Sequence, residues 1–423
     1  MMWENAELSL IAEIGDGAHA SLKRVKSGIP YLTAKNITKN GISYSNIDFI
    51  SEETYEKYFK EKSNALTKPQ KNDILYSIIG SIGGVYCVKD EKIGISSSVA
   101  IIRANSELIF PQYLAYFLKS KFFEAQVQAI KGGVAQGFMS IEKLKNVNIL
   151  YPKNLDYQAK IVSILSAYDD LIESNQKQIK LLEEAAQRLY KDWFVYLRFP
   201  GYEKTPIIDG VPEGWSMVKV GEVIKYEIGG GWGEETIDEK FDNPAYVIRG
   251  TDLYGLTHGD FNDIPYRFHS DSNLKARKLI DGDIIFEISG GSKNEGVART
   301  ALIRSNLLKI FSEPVMCASF CKLVRFDSLE IAQYMYDTFK YLRECGKTSE
   351  FDKKSASSIV NYRWKDFLMQ QLILLPNEKI LTNYNRLAIN LYNQILCKSI
   401  LIAKLVEARD KLLPKLMSGE IEV

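Results

Sequence analysis

The chain has 423 residues, a formal net charge of +1 and 46% hydrophobic residues. That length allows two to four domains with their own cores, and the near-zero charge gives no global sign of a polyanion partner, though a basic face can be balanced by acidic surface elsewhere. No apolar run approaches the ~18 residues of a membrane span, and the acidic, polar start is no signal peptide, which points to the cytoplasm.

Residues 1–152 contain short apolar runs punctuated by glycine, at 74–79, 85–88 and 99–102, which read as strands. Residues 113–128 place Leu114, Phe117, Leu118 and Phe122 at helical spacing and predict one helix packed on those strands.

From about 156 to 195 the pattern changes. Ile161, Leu165, Tyr168, Ile172, Asn175, Ile179, Leu182, Ala186, Leu189 and Trp193 recur at alternating steps of four and three, with no Pro or Gly between them. This 3.5-residue period predicts a coiled-coil seam on a rod of ~60 Å. Residues 199–215 hold three prolines and three glycines and read as a linker.

A second globular segment runs to about 376, with strands expected at 246–248, 283–288 and 320–324 and a helix at 331–342. A second rod follows from about 378 to 417. Shifting the first seam by 223 positions lands on Tyr384, Ala388, Leu391, Ile395, Lys398, Ile402, Leu405, Arg409, Leu412 and Leu416. Asn175 and Lys398 are polar intrusions that lower stability but fix register. Pro414 should bend or end the second helix, and Gly419 is a plausible stop.

The chain is thus a tandem repeat of a domain plus a rod, with Asn72-Asp73-Ile74-Leu75-Tyr76 matching Gly282-Asp283-Ile284-Ile285-Phe286. This predicts an α+β molecule with pseudo-two-fold symmetry: two similar mixed α/β domains separated by two long helices. Chain economy makes those helices antiparallel, since a parallel pair would force the second domain to bridge ~60 Å.

Catalytic motifs are absent. Gly346-Lys347-Thr348 imitates the end of a P-loop, but Tyr341 holds the required glycine position. Gly229 to Gly233 do not form a dinucleotide fingerprint, because Glu234 takes the last position. No Asn-Pro-Pro-Tyr or Asp-Pro-Pro-Tyr occurs. Cys317 and Cys321 lack further metal ligands, so the five cysteines read as buried free thiols, and His19, His258 and His269 as structural or surface residues.

Loops suited to nucleic acid are better represented. Residues 78–84, with Ser81, and residues 289–296, with Ser289, Ser292, Lys293 and Asn294, are glycine-rich and follow strands. Such backbone can approach a ligand closely, and the polar side chains can donate to phosphates and base edges. A plain hairpin turn is the competing reading of each loop. Further candidates are Lys23, Arg24, Lys26, Lys35, Asn36, Lys131 and Gln136 in the first half, and Arg249, Thr251, Lys353 and Lys354 in the second. The halves differ, with Lys35-Asn36 facing Thr251-Asp252 and Ser77 facing Glu287, which predicts two different half-sites.

The rod pair, Val211-Pro-Glu-Gly-Trp215 and the ending Leu412-Leu-Pro-Lys-Leu-Met-Ser-Gly-Glu-Ile421 resemble the specificity subunit of Type I restriction–modification systems. The resemblance covers nearly the whole chain and implies target recognition domains at 1–152 and 199–376, with coiled-coil regions at 153–198 and 377–423. It implies that each domain reads one half of a bipartite, asymmetric DNA site. The coiled coil would set the gap and dock two methylation subunits, and through them restriction subunits. The subunit would be non-catalytic and hold no cofactor; S-adenosylmethionine, ATP and Mg would belong to its partners. Tyr190, Phe194 and Tyr196, off the seam near a rod end, are candidate docking residues, with packing against a domain as the alternative. A ~60 Å rod limits the half-site centres to about 18 base pairs apart at ~3.4 Å each, with about one helical turn favoured. The rival readings are a fused modification enzyme, which lacks its motifs, and a coiled-coil scaffold that binds no DNA.

Overall fold

The structure, a computed structural model, describes residues 2–38, 41–44, 46–61, 66–131, 138–261, 263–290, 296–354 and 359–423. The chain forms two compact units, Met1–Asp170 with Val406–Val423 and Leu171–Leu405.

In the first unit, a four-stranded antiparallel sheet has the order Ala12–Asp16, Val99–Ala104, Ile74–Ser77, Val85–Cys87. Every residue of Ile74–Ser77 is buried because the sheet has a core on each face. Ile74 and Tyr76 enter one core, which also holds Tyr113, Phe117 and Phe123, while Leu75 enters the other with Tyr31, Tyr55 and Phe59. Alternation along the strand therefore needs no polar face, which explains the unbroken apolar run. A three-stranded sheet orders Asp48–Ile50, Ile29–Leu32 and Gly94–Ile95, the last pair parallel. Trp3–Glu7 pairs with Asn148–Pro152.

The second unit repeats this plan. Its four-stranded sheet runs Tyr226–Gly229, Cys321–Arg325, Ile284–Glu287, Thr300–Leu302. Its three-stranded sheet runs Tyr266–His269, Asn243–Ile248, Val315–Cys317, again with a parallel last pair. Ser216–Lys219 pairs with Leu372–Leu375. Ile284 and Phe286 enter one core and Ile285 the other.

One ion pair recurs in both units. Asp73 accepts from Arg103 Nε (2.8 Å) and Nη2 (2.7 Å) and from the Gln70 N–H. Asp283 accepts from Arg325 Nε (2.7 Å) and Nη2 (2.8 Å) and from the Ile280 N–H. Each buried carboxylate has its acceptor sites filled by a bidentate guanidinium and the backbone, the arrangement that makes a buried charge tolerable.

The long helices are Leu155–Tyr190, continued by a π-helical turn at Lys191–Val195, and Glu378–Ser418. Asn154 Oδ1 accepts from the Tyr157 N–H and Asn377 Oδ1 from the Ile380 N–H, so both helices start on a side-chain cap, worth about 1 kcal/mol each. In the first unit, Ile161 and Leu165 share a core with Leu413, Leu416 and Met417, and Arg409 Nη1 donates to Asp169 at 2.7 Å. In the second, Tyr190, Trp193 and Phe194 share a core with Ile380, Leu381, Tyr384 and Ala388. Each unit joins the start of one helix to the end of the other, so the helices run antiparallel.

Several local expectations change. The single helix at 113–128 is two, Pro111–Leu118 and Lys121–Lys131. Ser120 Oγ accepts from the Phe123 N–H (3.3 Å) and restarts the helix; the reset register buries Phe123 and leaves Phe122 exposed. The second long helix runs through Pro414 to Ser418. The linker contains a small hairpin, Ile207–Ile208 with Val211–Pro212, and its ends, Phe199 and Trp215, are core residues with rings 4.8 Å apart. Cys345 and Cys397 are free but exposed, whereas Cys317 and Cys321 are buried; burial pushes the Cys317 thiol up to about 12.

Along the first helix Ile161, Leu165, Ile172, Asn175, Ile179, Ala186 and Trp193 are buried and Tyr168, Leu182 and Leu189 half-buried. Along the second, Tyr384, Ala388, Ile395, Ile402 and Leu416 are buried, and Leu391, Lys398, Leu405, Arg409 and Leu412 half-buried. The fully buried polar residue there is Ser399, not Lys398: Ser399 Oγ bonds the Thr257 and Ile395 carbonyls. Lys398 is only half-buried; full burial of its ammonium would need a counter-charge.

Candidate nucleic-acid interface

In both units the end of the central strand, the glycine-rich loop after it and a later loop come together. In the first unit, Ile78 donates its N–H to the Ser98 carbonyl (3.0 Å) and accepts from the Met139 N–H (2.8 Å), and Ile79 bridges Phe138. In the second, Ile288 donates to the Phe320 carbonyl (2.9 Å) and accepts from the Tyr362 N–H (2.8 Å). There Ser289–Gly290 pairs with the strand Val360–Tyr362, which pairs onward with Asp352–Lys354. Ile78 and Ile288, Ser98 and Phe320, and Phe138 and Asn361 thus hold equivalent positions.

The glycine loop of the first unit is shaped by the buried Ser77, whose Oγ accepts from the Gly84 N–H (2.8 Å) and donates to the Ser81 carbonyl (2.7 Å). Gly84 lies against the next turn so closely that a Cβ there would sit 2.0 Å from the Ile37 carbonyl oxygen. In the second unit the place of Ser77 is taken by Glu287, buried and held by Arg299 Nε at 2.8 Å. A Cβ at Gly250 would sit 2.5 Å from the Glu287 carboxylate. The turns Ala34–Asn36 and Gly250–Asp252 therefore pack at the same end of the central sheet as the glycine loops.

The candidates divide by what their side chains already do. The Asn36 side chain is occupied within its own turn. It is buried, its Oδ1 accepts from the Thr33 N–H (2.9 Å) and its amide donates to the Ser43 carbonyl. Asp252 fills the same role, accepting from the Arg249 N–H (2.8 Å). Arg249 is engaged but partly accessible, donating to Asp252 and to the Asp263 carbonyl; the hydrogen bonds to Asp252 raise its pKa further above the usual guanidinium range. Arg24 pairs with Asp48 (2.9 Å) and lies over the Tyr31 ring at 4.1 Å. Lys23, Lys26, Lys35, Ser81, Thr251 and Lys353 are exposed. Ser289 is half-buried, with Oγ donating to Asn361 Oδ1 at 2.8 Å.

Lys35 and Ser81 thus gather at the sheet end of the first unit, and Thr251, Ser289 and Lys353 at that of the second. Lys23 and Lys26 flank Val25, which bridges Phe49 on the three-stranded sheet. Gln136, Ser292, Lys293 and Asn294 lie outside the described residues, as do the side chains of Lys131 and Lys354.

Sequence reasoning did not single out the exposed rings beside these loops, Phe138 (57% accessible) and Phe320 (53%). The available signal was a phenylalanine next to a glycine-rich or small-residue turn. The proposed docking aromatics also change meaning. Tyr190 and Phe194 are buried in the second unit's core, Phe194 against Tyr334 and Tyr384 at centroid distances of 4.9 and 4.8 Å. Only Tyr196 is exposed. Among the described residues no cluster of acidic, His and Cys side chains could hold a metal, and no helix is long and apolar enough to cross a membrane.

Residues 2–184 match the family described as the Type I restriction modification DNA specificity domain. The chain is 26% identical to the Type I restriction enzyme MjaIX specificity subunit of Methanocaldococcus jannaschii, over 100% of this chain and 94% of that one. It is 20% identical to the Type I restriction enzyme HindI specificity subunit of Haemophilus influenzae, over 83% and 87% of the respective chains. The S subunit of a Type I restriction–modification system from M. genitalium shares the fold, with a TM-score of 0.56 at 14% identity, covering 98% of this chain and 96% of that one. The first part of the chain thus matches the Type I specificity-domain family, and the chain as a whole is similar to Type I restriction–modification specificity subunits.

Proposed function

We propose that the chain is the non-catalytic, DNA-reading subunit of a Type I restriction–modification complex, in which the two domains each read one half of a bipartite, asymmetric site in double-stranded DNA. The observation that carries this is the pair of equivalent loop clusters, one per unit, built on one topology but bearing different side chains. Equal scaffolds with unequal loops suit two readings by one mode of docking. The antiparallel helices set the gap and offer their remaining faces to two methylation subunits, through which restriction subunits join. S-adenosylmethionine, ATP and Mg act in those partners, and the assembly works in the cytoplasm.

Binding of the chain with its methylation subunits to duplex DNA, measured against salt, tests this reading. Sequence-selective binding that weakens steeply with salt is expected; a scaffold shows neither property. Lys35→Ala removes an exposed cation from the loop cluster. It is expected to weaken binding evenly across sequences and to lower the slope of log K against log salt by about one. An unchanged slope would remove Lys35 from the phosphate contacts.

A further inference from the structure

We infer that Phe138 and Phe320 are apolar base contacts, one for each half-site. This deepens the DNA-reading proposal above and rests on it.

Both rings flank the same landmark from opposite sides. Phe320 itself supplies the carbonyl that receives the Ile288 N–H, where the first unit has Ser98. Phe138 sits on the later loop, one residue before the Met139 N–H that bonds Ile78, where the second unit has Asn361. Each unit therefore pairs one phenylalanine with one small or polar residue, Phe138 with Ser98 and Phe320 with Asn361, in swapped places.

The swap separates folding from function. The fold accommodates serine where Phe320 stands and asparagine where Phe138 stands, because the other repeat uses those residues on the same backbone. Neither ring is needed to close a core, and both remain more than half accessible. A phenyl ring has no donor or acceptor for phosphate. On a duplex it can pack on a thymine methyl in the major groove or wedge at a base step. Either contact is directed at bases and releases no counterions. Placing the ring on opposite flanks also makes the two domains address different positions within their half-sites.

The test uses the full chain assembled with its methylation subunits, and duplexes carrying the wild-type methylated site or single-base-pair changes in it. The variants are the repeat's own residues, Phe138→Asn and Phe320→Ser. Each is expected to bind the wild-type site on the order of tenfold more weakly, with an unchanged salt slope and an unchanged melt. Each should lose discrimination in one half-site only, and the two variants in different halves. Unchanged affinity and discrimination would overturn the inference, as would a lowered salt slope, a lowered melt, or one variant relaxing both halves. Absence of any bipartite site for the wild-type complex would instead remove the DNA-reading proposal itself.

Discussion

Inserting one heptad into each long helix, between Asp170 and Leu171 and between Leu405 and Val406, is expected to abolish methylation of the wild-type site. The insertions fall at the boundary of the two compact units, so they leave the contacts within each unit in place. Seven residues preserve the 3.5-residue seam and add about 10 Å of helix. On B-DNA that is about three base pairs at ~3.4 Å, which carries a half-site roughly 100° round the duplex at 10–10.5 base pairs per turn. One domain then misses its bases, and losing several pairs at about 1–3 kcal/mol each lowers affinity for the original site on the order of a thousandfold. Residual methylation should appear only at sites whose gap is longer, by up to about three base pairs. Wild-type methylation of the original site would show that the helices are not the ruler. Deletions at 396–402 are a poorer test, since Ser399 holds the Thr257 carbonyl and would be lost.

Phe194→Ala is expected to destabilise the second unit by about 3–5 kcal/mol, a fall of roughly 6–20 °C in its melting transition at about 2–4 °C per kcal/mol. The ring is buried among Tyr190, Trp193, Trp215, Tyr334 and Tyr384, so truncation leaves a cavity where helix, linker end and domain meet. Tyr196→Ala, at an exposed position two residues on, should stay within about 0.5 kcal/mol of wild type. Melting of both variants beside wild type checks this. An unchanged melt for Phe194→Ala, with loss of methylation-subunit binding, would restore Phe194 as a docking residue.

The strands around Ile74 and Ile284 were legible because their apolar runs are long enough to fill two cores, and the tandem plan because both runs follow Asp-bearing turns. The rods were legible from spacing alone, since a buried stripe repeats whatever the side chains contact. What spacing could not reveal is partnership between distant residues. Nothing near Asp73 or Asp283 announces Arg103 or Arg325 as partner. Asn36 looked like a base reader because a polar residue in a loop has the same letter whether it caps its own turn or faces solvent. The break before Lys121 was hidden because the apolar positions run on across it, and only the Ser120 cap resets them. Phe194 looked free because it lies off the seam, yet the domain that follows folds back onto it.

Co-expression with its methylation subunit followed by genome-wide mapping of methylated bases tests whether the two domains read two half-sites across a helical ruler. A single bipartite motif with two different halves and a fixed gap of about one helical turn is expected. Methylation at a continuous site, or none with a partner known to be stable and active, would contradict that reading.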